Sequence, residues 1–207
     1  ARELTKAHGT FLLIDSIQAG LRAHGVLSIV DYPGFEHLEA PDMETYSKAL
    51  NGGQYPLSVL AVNERAANVY ANGTYGNTMT TNPRAMDIAT NVLHSLTPEI
   101  RANIRGKGQE ALDKLNVLKA ELGGLITKVQ GTGLLFSCEL DPSFKCYGAN
   151  STEEYMRERG IGVIHGGINS LRFTPHFAIT SAELDLIIAH IRVALLKGPR
   201  KSAAEAA

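Results

Sequence analysis

Apolar positions along this chain change period near its middle. Phe11-Leu12-Leu13-Ile14 is an unbroken apolar run, the pattern of a strand buried on both faces, and Asp15 closes it as a buried-looking carboxylate at the strand's carboxyl end. Residues 43–47 and 57–62 predict two more short strands, divided by Gly52-Gly53 and Pro56. Residues 28–34 are loop-like, with the turn signal Asp31-Tyr32-Pro33-Gly34. Asn82-Pro83 predicts a helix start, an N-cap followed by a proline whose missing N–H costs nothing in the first turn. Its core face reads Met86, Ala89, Val92, Leu93 and Leu96. Thr97-Pro98-Glu99 repeats the start signal. The helix it opens runs to about Leu122, with Ile100, Ile104, Leu112, Leu115 and Leu118 at helical spacing. Residues 1–8 read as the last turns of a helix stopped by Gly9, so the chain is expected to be cut from something longer.

Gly123-Gly124 marks a change of texture. Residues 126–129 and 134–140 predict strands around the turn Gly131-Thr132-Gly133, and residues 161–164 and 171–173 predict two more. Ser151-Thr152-Glu153-Glu154 and Thr180-Ser181-Ala182-Glu183 are capping-box signatures, in which a hydroxyl and a carboxylate satisfy each other's backbone N–H groups. The closing helix carries Leu184, Ile187, Ile188, Ile191 and Leu195 on one face. The expected fold class is α/β, part of a mainly parallel sheet followed by a small α+β unit. The expected boundaries are residues 1–105, 106–197 and a frayed polar tail, 198–207.

Composition narrows the function classes. The 207 residues are 44% hydrophobic and 20% charged, with a formal net charge of -1, so no basic field points to nucleic acid or an anionic membrane. No apolar run approaches the roughly 20 residues that span a bilayer. The opening residues, Ala1-Arg2-Glu3-Leu4-Thr5-Lys6, carry no apolar stretch of a signal peptide. Cys138 and Cys146 are too few and too loosely spaced for a disulfide framework or a zinc site, and a reducing compartment is expected.

Candidate chemistry collects at strand ends. Asp15 and Lys48 each fall at the carboxyl end of a predicted strand, the edge where open α/β sheets bind ligands. A lysine that attacks a carbonyl and a carboxylate that keeps a pyridine nitrogen protonated are what pyridoxal phosphate chemistry asks of a protein. Gln18, three residues after Asp15, is placed to donate a hydrogen bond to a ring oxygen. Gly73-Thr74-Tyr75-Gly76-Asn77-Thr78-Met79-Thr80-Thr81-Asn82-Pro83 is a hydroxyl-rich loop running into a helix N-terminus, where free N–H groups suit phosphate. Arg172 follows the small-residue loop His165-Gly166-Gly167-Ile168-Asn169-Ser170, and an arginine fork suits a substrate carboxylate. His165 and His176 read as structural or peripheral. Each of these residues also has an ordinary structural reading: a strand-end cap for Asp15, a loop lysine for Lys48, a surface arginine for Arg172.

Taken in order, the segments Leu13-Ile14-Asp15-Ser16-Ile17-Gln18-Ala19-Gly20, Ser47-Lys48-Ala49-Leu50, Gly76-Asn77-Thr78-Met79-Thr80-Thr81-Asn82-Pro83, Gly131-Thr132-Gly133-Leu134-Leu135 and Leu171-Arg172-Phe173-Thr174-Pro175 resemble the class III pyridoxal-phosphate-dependent aminotransferases. These are fold-type I enzymes such as the ornithine, acetylornithine and 4-aminobutyrate aminotransferases. The resemblance covers residues 4–196 and implies a set of roles. Lys48 would form the Schiff base with the cofactor and shuttle a proton, and Asp15 would pair with the pyridinium nitrogen. Gln18 would contact the ring hydroxyl. Thr78 would reach across a dimer interface to the cofactor phosphate of the neighbouring subunit, and Arg172 would hold a substrate carboxylate. Residues 1–105 would then be the carboxyl-terminal part of the cofactor-binding large domain, and 106–197 the small domain. The reaction implied is transfer of an amino group from an amino acid or ω-amino acid to a 2-oxo acid such as 2-oxoglutarate.

The pattern departs from the family at Ser16, where an acidic residue is usual, and at Thr80-Thr81, where a glycine pair is usual. The family's amino-terminal half is absent from this sequence. That half is therefore an expected partner, as a separate chain or a missing segment, together with a homodimer-type partner across the active site. An aminomutase or racemase of the same fold, and a non-catalytic subunit that retains the fold, stand as alternatives. Cytoplasm and mitochondrial matrix both suit the composition.

Overall fold

Two parallel strands and one antiparallel strand make the first sheet, in the order β1-β2-β3. The computed structural model describes residues 1–74, 78 and 80–201. It divides the chain into two compact units, Ala1–Arg101 and Ala102–Ala207.

In the first unit β1 (Leu13–Asp15) pairs in parallel with β2 (Met43–Tyr46), placing Asp15 opposite Thr45. β3 (Val59–Val62) pairs antiparallel with β2, so only half of this sheet's pairing is parallel. The apolar run 11–14 does not become a strand buried on both faces. Pairing begins at Leu13, which is 47% exposed, and Asp15 is exposed rather than buried. A continuous apolar run promises two covering layers, and among the described residues of this unit neither face of β1 is fully covered. All of β3 is exposed as well.

A short helix, α1 (Arg2–Ala7), is tied to the sheet by charge rather than by apolar packing, since it buries no residue. Arg2 donates to the buried Asp42 at 2.5 Å, and Leu12 N–H and Asn63 Nδ2 add bonds of 2.9 and 3.0 Å. These donors, Arg2 first, hold the Asp42 carboxyl far below the usual carboxylate range. One turn of helix, α2 (Glu64–Ala67), follows β3 and is capped by Asn63.

α3 (Pro83–Ser95) begins as its sequence predicts: Asn82 Oδ1 accepts from the N–H groups of Arg84 and Ala85. Its buried face keeps Ala89 and Leu96 of the expected one and adds Ala85, while Met86 and Leu93 are 50% and 37% exposed. The helix lies close to the turn that follows β2. A Cβ on Gly52 would stand 3.5 Å from Val92, at ordinary van der Waals contact.

In the second unit the sheet order is β4-β5-β7-β6 and every pairing is antiparallel. β4 (Ile126–Thr132) and β5 (Leu135–Leu140) form a hairpin, and β6 (Ile164–Gly166) and β7 (Ser170–Phe173) form another. β5 alternates strictly, burying Phe136, Cys138 and Leu140, and Phe136 stacks on Phe173 at 5.3 Å. β6 starts at Ile164 instead of Ile161, because the Ile161 N–H is already spent on Met156 O at the end of α5 (Thr152–Arg157).

α4 (Pro98–Glu121) buries Ile104, Ala111, Leu115 and Leu118 at helical spacing, with Gly108 between them. A Cβ on Gly108 would fall 2.3 Å from Gly133 O, so only glycine lets the helix approach the β4–β5 turn. α6 (Ser181–Lys197) starts with the full capping box between Thr180 and Glu183. Among the described residues no helix is long and apolar enough to cross a membrane.

Candidate active site

The parallel pairing of β1 and β2 brings their carboxyl ends to one edge of the first sheet. Asp15 ends β1, and Ser47 and Lys48 follow directly on β2. Asp15 Oδ1 accepts from the Ile17 N–H at 3.0 Å, and Thr45 Oγ1 lies 3.5 Å away on the facing strand. These contacts fix the rotamer of an exposed carboxylate and leave it open on its outer side. Gln18 is also exposed, in the turn after Asp15.

Lys48 opens a single turn of 3₁₀ helix, Lys48–Asn51. Ser47 holds the entry by donating to Leu57 O at 2.5 Å, which ties the end of β2 to the segment leading into β3. Lys48 has φ +46°, a left-handed conformation that a residue with a Cβ adopts only at a cost of about 1–2 kcal/mol. Its side chain is exposed, and among the described residues no ion pair or hydrogen bond engages its amine.

Beneath this edge lies a polar cluster that the strand pattern did not announce. β2 turns Glu44 and Tyr46 inward. The Glu44 carboxylate, 4% exposed, accepts from Ser16 Oγ at 2.5 Å, Ser28 Oγ at 2.8 Å and the Ile29 N–H at 3.1 Å. Burial first, and then Glu44, push the Tyr46 hydroxyl well above its ordinary range. Gly20 is forced by the same crowding, since a Cβ there would meet Ser16 O at 2.7 Å and the Tyr46 ring at 3.2 Å.

The remaining sequence-predicted residues fall elsewhere. Thr78 is exposed in a turn, and its neighbours Tyr75, Gly76, Asn77 and Met79 lie outside the described residues, as do residues 202–207 of the tail. Thr81 has φ +58°. Arg172 belongs to the second unit, half-buried in β7 between Ser137 of β5 and Ile164 of β6. His165 faces the buried Glu153 at 3.5 Å and the Tyr147 ring at 4.1 Å, and His176 faces Glu183 at 3.3 Å. Cys138 and Cys146 are free and buried, and burial pushes both thiols up to about 12. Among the described residues no group of three or more His, Cys, Asp or Glu gathers to hold a metal ion.

Residues 1–195 match the family model of the class III aminotransferases. The succinylornithine transaminase of Citrobacter koseri is 31% identical over 184 residues, which make up 88% of this chain and 44% of that protein. Among solved structures, the ornithine δ-aminotransferase of Plasmodium falciparum superposes with a TM-score of 0.79 at 26% identity, over 94% of this chain and 48% of its own. The N-acetylornithine aminotransferase of Stenotrophomonas maltophilia gives 0.75 at 28% identity, over 94% and 49%. The chain thus spans about half the length of the relatives it matches. Over nearly its whole length, in ordered motifs and in fold, it belongs to the class III aminotransferases, a pyridoxal-phosphate-dependent family.

Proposed function

We propose that this chain carries the cofactor-anchoring part of an aminotransferase, which moves an amino group from an amino acid or ω-amino acid to a 2-oxo acid such as 2-oxoglutarate. The observation that supports the reading is that Asp15 ends one strand of a parallel pair and Lys48 follows the other, at their shared carboxyl edge. The residues present fit pyridoxal phosphate. A carboxylate with a fixed rotamer and an open outer side suits a ring nitrogen, and an uncommitted amine on strained backbone suits the aldehyde carbon. When bound, the cofactor supplies an electron sink for the carbanion left when a substrate Cα–H bond breaks.

The chain's own residues divide the rest of the work. Asp15 holds a proton on the ring nitrogen by offering a negative charge beside it. Gln18 donates to the ring oxygen. Lys48 anchors the cofactor through Nζ and carries the proton away from and back to the substrate carbon. Thr78 binds the cofactor phosphate of a neighbouring copy, and Arg172 binds a substrate carboxylate as a two-pronged donor.

The first unit then serves as the carboxyl-terminal part of a cofactor-binding large domain and the second as a small substrate-facing domain. The amino-terminal half of the fold completes the first sheet. The exposed β3, with Leu60 51% and Val62 46% exposed, supports that role for it.

The test is a visible absorption spectrum of the natural assembly, followed by borohydride and peptide mapping. The expected result is a yellow protein that bleaches and retains a pyridoxyl group on Lys48. A colourless assembly after reconstitution, or label on another lysine, would overturn the reading.

A further inference from the structure

Glu44 has no place in the chemistry just described, yet it is the most deeply committed carboxylate at that edge. We propose that Glu44 is a positioning residue that sets Asp15 and Gln18 toward the cofactor by fastening both ends of the segment that follows β1; the proposal rests on the reading of Asp15 and Gln18 given above.

Ser16 Oγ, Ser28 Oγ and the Ile29 N–H all converge on Glu44. A carboxylate has lone pairs enough to accept from all three at once. An apolar residue at this inward position would leave the Ser16 and Ser28 hydroxyls and the Ile29 N–H to be satisfied elsewhere.

Ser16 directly follows Asp15, and Ser16 is itself 3% exposed, so its backbone has little freedom once its hydroxyl is held. The Ile17 N–H, next along, is the group that fixes Asp15 Oδ1. Ser28 caps the 3₁₀ turn Ile29–Asp31 at the far end of the segment. One carboxylate therefore pins residue 16 and residues 28–29 together, and the intervening chain, Gln18 included, is closed into a loop on it. Glu44 acts on Asp15 through Ser16 and Ile17; its partners lie on the inward face, whereas the Asp15 carboxylate faces Thr45.

The experiment uses the natural assembly carrying Glu44→Gln, which keeps the shape and replaces one acceptor oxygen by a donor. Three readouts are taken: the Kd for pyridoxal phosphate from visible absorption, the pH profile of the bound-cofactor band, and amide hydrogen exchange. The expected result is cofactor binding about tenfold weaker. The pH profile should be displaced, because Asp15 no longer sits squarely by the ring nitrogen, and faster exchange should be confined to residues 16–32. Should Glu44→Gln fail to fold, Ser28→Ala removes one donor at the far end only and should show the same changes in smaller degree. Unchanged Kd and pH profile in a folded variant would overturn the proposal, even with faster exchange, since Glu44 would then hold the core alone. A wild-type assembly that binds no cofactor at Lys48 would instead sink the functional reading, and the proposal with it.

Discussion

The two sheets of this molecule differ in what they turn inward. β5 buries Phe136, Cys138 and Leu140 in strict alternation, and Phe136 stacks on Phe173. β2 buries Glu44 and Tyr46 and is held by hydroxyls and a backbone N–H. The first arrangement gains its stability from apolar area removed from water, which tolerates small shifts. The second depends on bonds whose lengths and angles admit little error. The residues proposed to anchor the cofactor sit on the second. Precision at an edge comes from a polar network, and bulk stability is left to a sheet that carries less chemistry.

The comparison breaks most sharply at Phe136. Phe136→Ala removes a ring that is 2% exposed and stacked on Phe173, and should cost about 3–5 kcal/mol of stability in the second unit. Alkylation of Cys138 in rising denaturant reads it out, because burial pushes that thiol up to about 12 and keeps it unreactive until the unit opens. An equal loss in hydrogen-exchange protection within residues 13–46 would show the two sheets to be one cooperative block.

A smaller effect sharpens the other side. Thr81 has φ +58°, a conformation costly for a β-branched residue. Thr81→Gly should raise the thermal stability of the first unit by about 1 kcal/mol, seen as a higher Tm. A lower Tm would mean that the side chain contributes more than the backbone strain costs.

The smallest effect is electrostatic. Lys107 and then Lys114 pull the Glu110 carboxyl down to about 2 from an ordinary 4.5. A carboxyl depressed in the folded state contributes stability that is present above pH 4.5 and lost as pH falls toward 2. Glu110 is partly exposed, and screening limits that contribution to about 1 kcal/mol or less. Glu110→Gln should flatten the acid limb of the second unit's stability over that window, measured by denaturant titration at several pH values. An unaltered limb would assign it to other carboxyls.

What the sequence made legible follows the same division. In the second unit the capping residues Ser151 and Thr180 mark their helices correctly, and the alternation along 134–140 marks the buried face of β5, because both signals are local. In the first unit Asn82-Pro83 is equally local and equally accurate. Asp15 is exposed where the apolar run predicts burial, because such a run reveals the character of a strand, not the presence of a layer over it. Met86 and Leu93 look like core by size, yet the helix buries the small Ala85 and Ala89 and leaves both larger side chains exposed. Glu44 carries no local signal, because its place depends on Ser16 and Ser28, far apart along the chain, meeting on it. An acidic residue is usual at position 16 in the family. Here a serine stands there, and the carboxylate that meets it comes from the next strand.

The left-handed backbone at Lys48 has a bearing on how such a protein is lost and kept. A glycine at that position would remove the amine and the strain in one step. If Lys48 anchors the cofactor as proposed, the glycine variant would lose activity and gain stability together. A screen for heat resistance or expression would favour it, and only selection for turnover would hold the lysine in place.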